Sequence, residues 1–277
     1  MPVPSYYIDS GAAIITLEDS EHGNRLTQEL LEALQGRLQQ AFEDDTVRVV
    51  VLRSDGPAFC FGMDLDSFEK QRGSKQVSRE ASALYGNLLK TVFTGRKPVV
   101  TVLRGPVKAG GVGLVAASDI VLATPEVSFQ LSEVLFGLIP ANVLPYLLGL
   151  RMPASKVRYL VLTAKEVGPD EALRFGLVDE IITPEKLEKE TKKICKTLFR
   201  ASPAALRETK EFTAKLVTME LNERFQFAQE KLEHLLSDEE IGRAVAAFRE
   251  GELPAWFQSF KPEKPLTKPA EGGSSSK

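Results

Sequence analysis

The residue of this chain best suited to moving a proton is Glu133. It is the one acid in the apolar run Gln130-Leu131-Ser132-Glu133-Val134-Leu135-Phe136-Gly137-Leu138-Ile139-Pro140. A carboxylate so flanked is either paired or kept partly desolvated, and desolvation raises its pKa toward the range useful for proton transfer. A solvated loop acid is the plainer alternative. Upstream, Gly105, Ala109, Gly110, Gly111 and Gly113 crowd between the β-branched run 99–103 and the apolar run 114–117, the pattern of a strand feeding a tight turn into a buried helix. Unpaired N–H groups and the positive end of the helix dipole then collect around Gly110 and Gly111, where negative charge is stabilised. Glycine lets a carbonyl approach that backbone, which any Cβ would hinder. A Gly-Gly pair also suits plain close packing of helix on sheet, so this turn needs support from elsewhere in the chain.

A second glycine turn lies in Ser54-Asp55-Gly56-Pro57-Ala58-Phe59-Cys60-Phe61-Gly62-Met63-Asp64-Leu65. It falls where a strand ends, the place at which open α/β architectures hold ligands. Cys60 stands between aromatic residues with no histidine near it in sequence, which favours a small core residue over a nucleophile. Asp64 is either a surface turn residue or a member of the site.

Composition narrows the classes. The 277 residues, 43% of them hydrophobic, suffice for one main domain with an appendage. A net charge of −3 gives no field to attract nucleic acid or an anionic membrane. Two cysteines, Cys60 and Cys195, and two histidines, His22 and His234, support neither a disulfide framework nor a metal cluster. No run approaches the about 20 apolar residues of a membrane span, and the N-terminus lacks a secretory pattern. The expectation is a cytoplasmic protein with no metal, nucleic-acid or membrane partner.

The elements that must position these residues follow in order. Residues 6–17 read as a hairpin around Gly11, with 13–17 as its second strand. Thr27 caps a helix carrying Leu30, Leu31, Leu34, Leu38 and Phe42 and ending before Asp44. Residues 47–52 are continuously apolar, as in a strand covered on both faces. Residues 69–79 suggest a polar mobile loop, 81–93 a helix, 119–123 a strand, 156–162 and 169–175 short helices, and 177–182 a strand. Four helices follow over 184–200, 203–217, 221–236 and 239–250. From 261 on, the composition is that of a disordered tail.

Read in this order, the chain resembles the crotonase, or enoyl-CoA hydratase and isomerase, superfamily up to about Phe257. The resemblance rests on Ala58-Phe59-Cys60-Phe61-Gly62-Met63-Asp64, on Arg104-Gly105-Pro106-Val107-Lys108-Ala109-Gly110-Gly111-Val112-Gly113, on Ser118-Asp119-Ile120 and on Phe129 to Pro140. Phe175-Gly176-Leu177-Val178-Asp179, Ser237-Asp238-Glu239-Glu240 and Ala247-Phe248 are further landmarks. It implies an α/β fold, a spiral of ββα units over 1–200, with a C-terminal helical trimerisation region over 201–258 and a disordered tail over 259–277. It also implies that the N–H groups of Met63 and Gly110 form an oxyanion hole for a thioester carbonyl. Of the two glutamates of family hydratases, the second falls on Glu133 and the first on Gly113, which cannot transfer a proton.

The motifs are most similar to a narrower group, the dehydratases of polyketide β-branching cassettes, which also lack the first glutamate. That likeness implies dehydration of 3-hydroxy-3-methylglutaryl to 3-methylglutaconyl on an acyl carrier protein. Glu133 would be the acid/base, the substrate would ride on phosphopantetheine of the carrier or on CoA, and no free cofactor would be consumed. Asp64, Lys108, Gly111 and Tyr85 become candidate substrate-binding residues, with Lys108 the best electrostatic partner for the substrate's free carboxylate. A homotrimer or dimer of trimers is implied. The alternatives are a 3-methylglutaconyl-carrier decarboxylase, for which Lys75 and His234 would be the candidates, an enoyl-CoA hydratase or isomerase, and a catalytically silent binding module.

Overall fold

The computed structural model describes residues 3–19, 22–64, 75–217 and 219–267. Strands β1 (Ser5–Asp9) and β2 (Ala12–Leu17) form an antiparallel hairpin. Its two-residue turn sets Ser10 at φ 49° and Gly11 at φ 83°, as a type I′ turn requires. Helix α1 (Gln28–Glu43) starts where Thr27 accepts the N–H of Leu30 at 3.2 Å, and it buries Leu30, Leu31, Leu34, Leu38, Ala41 and Phe42. Then come β3 (Val49–Ser54), α2 (Lys75–Thr94), β4 (Val99–Leu103), β5 (Val107–Lys108), α3 (Gly110–Ala117), β6 (Ile120–Ala123) and β7 (Phe129–Gln130). A 3-10 turn (Glu133–Phe136), α4 (Ala154–Thr163), α5 (Pro169–Phe175), β8 (Glu180–Ile181) and α6 (Pro184–Arg200) complete the core.

The main sheet runs β1-β2-β3-β4-β6-β8, antiparallel only at β1-β2, while β5 and β7 pair in a small second sheet. Alternation within the strands splits the interior in two. Ala13, Ile15, Val50, Leu52, Val99 and Leu103 share a core with α1, α2 and α3. Ala12, Ile14, Val49, Val51, Val100 and Val102 face Leu187, Cys195 and Phe199 of α6. Parallel strands buried on both sides explain the continuous apolar runs.

Three expectations change. The helix before β4 already includes residues 75–79 of the polar stretch expected as a loop over 69–79, and 69–74 lie outside the described residues. Of the strand expected at 177–182, Glu180 and Ile181 alone pair with β6. Leu177 instead donates to Ala172 O at 2.9 Å beyond Gly176, the left-handed end of α5. The third change is in the expected tail. Phe260 stacks on Phe199 with centroids 4.6 Å apart, and Leu266 and Thr267 are buried. Residues 260–267 are therefore a strap over the α6 side of the sheet, and 268–277 lie outside the described residues.

Helices α7 (Pro203–Leu216), α8 (Leu221–Leu236) and α9 (Glu239–Arg249) bury none of their own residues. Among the described residues no helix is long and apolar enough to cross a membrane.

Candidate active site

Two glycine turns are brought side by side by backbone pairing. Phe59 donates to Pro106 O at 3.0 Å and Lys108 to Cys60 O at 2.8 Å, so residues 58–63 run along 106–110. Gly62, at φ 82°, lies against the second turn: a Cβ there would stand 2.8 Å from Ala109 Cβ and 2.9 Å from Gly110 N. Leu26 donates to Gly62 O at 2.8 Å and holds the first turn from its other side. The register leaves the N–H groups of Met63 and Gly110 next to one another, each without an acceptor among the described residues. Gly110 opens α3, so the helix's positive end reinforces the pair. Ala109 is held at φ 46°, ψ −121°, trapped between its own N–H bond to Gln130 O at 2.8 Å and the start of the helix. Such backbone strain costs on the order of 1–3 kcal/mol and is borne where the surroundings over-determine it.

Glu133, first residue of the 3-10 turn, lines the same cavity as this pair. Its Oε2 is buried without a hydrogen-bond partner among the described residues. Burial raises its pKa above the usual 4.5, more than the lowering from its own backbone N–H offsets. Met63, Gly110 and Glu133 line a cavity of about 380 Å³, walled by Leu26, Phe61, Leu138, Ile139 and Val143. An acceptor-only carboxylate, two unengaged donors and an apolar wall can stabilise an enolate while one proton is shuttled.

The other expected residues divide. Asp64 lines the cavity and pairs with Arg25 Nη1 at 3.5 Å. Tyr85 lines it too and donates from Oη to Gly110 O at 2.5 Å. Gly111 does not line it. It is buried against Cys60, whose carbonyl oxygen would be 2.5 Å from a Cβ at position 111, so its smallness serves packing. Lys108 is also set back from the wall, with Nζ 5.8 Å from the centre of the Phe61 ring. Cys60 is fully buried, and desolvation pushes its thiol up to about 12, which makes it a core residue. His234 is exposed on α8 and does not line the cavity. The side chain of Lys75 lies outside the described part.

The sequence reading missed Asn24. Its buried side chain donates to Ala58 O at 3.2 Å and Phe59 O at 3.0 Å and accepts from Asp19 N at 2.8 Å, fixing the segment that leads to Met63. The signal was Gly23-Asn24, types that tolerate positive φ, here 66° and 51°.

The profile of the enoyl-CoA hydratase/isomerase family matches residues 7–259, and the chain belongs to that family. Bacillaene synthase dehydratase PksH of Bacillus subtilis is 41% identical over 60% of this chain and 63% of its own length, so the match spans less than two thirds of that relative. A Thermus thermophilus protein carrying the provisional name of an enoyl-CoA hydratase is 34% identical over 78% of this chain and 85% of its own. The solved structure of Pseudomonas aeruginosa AtuE superposes with a TM-score of 0.86 at 27% identity, covering 93% of this chain and all of that one. The crotonase fold expected from the motifs is thus the fold of this chain.

Proposed function

We propose that the protein dehydrates a 3-hydroxy-3-methylglutaryl thioester, carried by an acyl carrier protein, to the 3-methylglutaconyl thioester. One observation carries the reading: the cavity that Met63 and Gly110 line also holds Glu133, whose buried Oε2 has no hydrogen-bond partner among the described residues, and position 113, where a second acid would stand, is glycine. Glu133 takes the proton from C2 while the N–H groups of Met63 and Gly110 hold the charge that moves onto the thioester oxygen. The C3–O bond then breaks, and Glu133 returns the same proton to the departing hydroxyl, which leaves as water. One carboxyl acts first as base and then as acid on the same face, and a tertiary hydroxyl departs more readily than a secondary one. The substrate's free carboxylate is assigned to the Phe61 side, where Lys108 sits over the ring. Three copies of the chain associate through α8 and α9, which present Leu221, Phe225, Leu232, Leu236, Val245 and Phe248 to solvent.

Intact-mass measurement of the loaded carrier protein, and of the CoA thioester in parallel, tests the reading. Loss of one water from the carrier-bound acyl group supports it. Loss of carbon dioxide from 3-methylglutaconyl carrier protein, an unchanged mass with a shifted double bond, or turnover of the CoA ester alone would replace it with a decarboxylase, an isomerase or an enzyme of acyl-CoA metabolism.

A further inference from the structure

Gly113 leaves no hole. A Cβ built on it would collide with Tyr85 Oη and come within 3.0 Å of Leu89 Cδ1 and 3.1 Å of Val143 Cγ2. The phenol oxygen thus sits in the space that a side chain at position 113 would enter, over the first turn of α3. From the other side, a Cβ at Gly110 would lie 3.3 Å from the same oxygen. Tyr85 arrives there from α2, lines the cavity with Glu133, and spends its proton on Gly110 O at 2.5 Å. A hydroxyl whose proton is committed still has lone pairs, and such an oxygen inside an apolar cavity accepts a hydrogen bond from whatever hydroxyl is brought beside it.

Resting on the dehydratase reading, we propose that Tyr85 is a catalytic residue that seats the substrate's 3-hydroxyl: its Oη accepts the hydroxyl's hydrogen bond and turns the C3–O bond toward the proton that Glu133 returns. The electron pair of the C3–O bond leaves with the oxygen, the proton from C2 completes the water, and Tyr85 ends as it began. Burial first, then the neighbouring Cys60, Glu133 and Tyr146, hold the phenol protonated well above its usual range, so it does not compete with Glu133 as a base. A second group for the leaving oxygen is thereby supplied from α2 instead of α3.

The plainer role, steadying the Gly110 turn, predicts something different. Two reactions separate them: dehydration of the 3-hydroxy-3-methylglutaryl thioester, and exchange of the C2 proton with deuterated solvent in the 3-methylglutaryl thioester, which has no hydroxyl. Tyr85→Phe should slow dehydration about 10- to 100-fold and leave exchange within twofold of wild type. Equal loss of both reactions would make Tyr85 a support of the oxyanion turn, and loss of neither would make it packing; either overturns the proposal. Should Tyr85→Phe fail to fold, Gly113→Ala, whose Cβ pushes the phenol away, must give the same split. A wild-type protein that exchanges but does not dehydrate would fail the functional reading itself, and this inference with it.

Discussion

Glu133 is partly withdrawn from solvent, and that loss of solvation has a measurable sign. Its folded pKa is raised by burial, so between 4.5 and the raised value the native state binds more protons than the unfolded one and stability falls as pH rises. Above the raised value the loss is complete. Glu133→Gln should therefore raise the melting temperature at pH 7 and change it little below pH 4, and thermal melts at the two pH values check this. Equal shifts at both would place the effect in packing. The acid itself was legible because it is alone in an apolar run. The placement of Lys108, Gly111 and Tyr85 was not. Whether Lys108 faces the cavity depends on which side of the two-residue strand β5 it takes, and Gly111 on where Cys60 passes. Tyr85 depends on the meeting of α2 with α3, whose contacting residues are far apart in sequence.

Among the elements, the two crossed turns are the most exacting. Gly62 combines positive φ with an approach to Ala109 and Gly110, so Gly62→Ala should cost on the order of 1–3 kcal/mol of stability. It should lower the rate on thioester by more than that loss of folded protein explains; a variant as active and stable as wild type would separate the two turns. Element types were legible wherever the period was strong: the Thr27 cap, the β1-β2 turn and α6 all stand where the pattern puts them. The start of α2 was not, because Gln76, Arg79 and Glu80 of its first turns are exposed and carry no apolar stripe. Gln76 donating to Glu80 at 3.0 Å is the local support there. Strand β8 is short because only Leu122 and Ala123 of β6 offer it partners.

At the scale of the molecule, the strap 260–267 closes the sheet's second face. Arg53 donates to Leu266 O at 2.6 Å and Pro265 O at 3.2 Å, and Tyr7 donates to Pro265 O at 2.8 Å. Glu188 accepts the N–H groups of Leu266 and Thr267 at 3.0 and 2.6 Å. Burial raises the pKa of Glu188, but the hydrogen bonds from Thr267, Leu266 and Lys192 outweigh it and hold the group below its usual range. That stabilisation is present above pH 4.5 and lost as pH falls through the lowered value, so hydrogen exchange in the strap should quicken on acidification. Leu266→Ala should cost about 2–5 kcal/mol while leaving the rate per folded molecule unchanged, since the cavity lies on the other face; a lost rate at full stability would contradict that layout. Its composition hid the strap, because proline and lysine read as disorder while the anchoring carbonyls and N–H groups carry no residue signature. For assembly, Phe225→Glu with Phe248→Glu should yield monomers by light scattering at micromolar concentration, and trimers that persist would move the interface elsewhere.

The central claim is that one carboxyl carries both proton transfers of the elimination. Single-turnover dehydration of 3-hydroxy-3-methylglutaryl carrier protein, followed by intact mass for wild type and Glu133→Gln, tests it most directly. The variant should bind the loaded carrier as wild type does and lose water about 10² to 10⁴ times more slowly, the range general acid/base catalysis supplies. A Glu133→Gln protein that loses water within a few-fold of the wild-type rate would contradict it and transfer the role to Asp64.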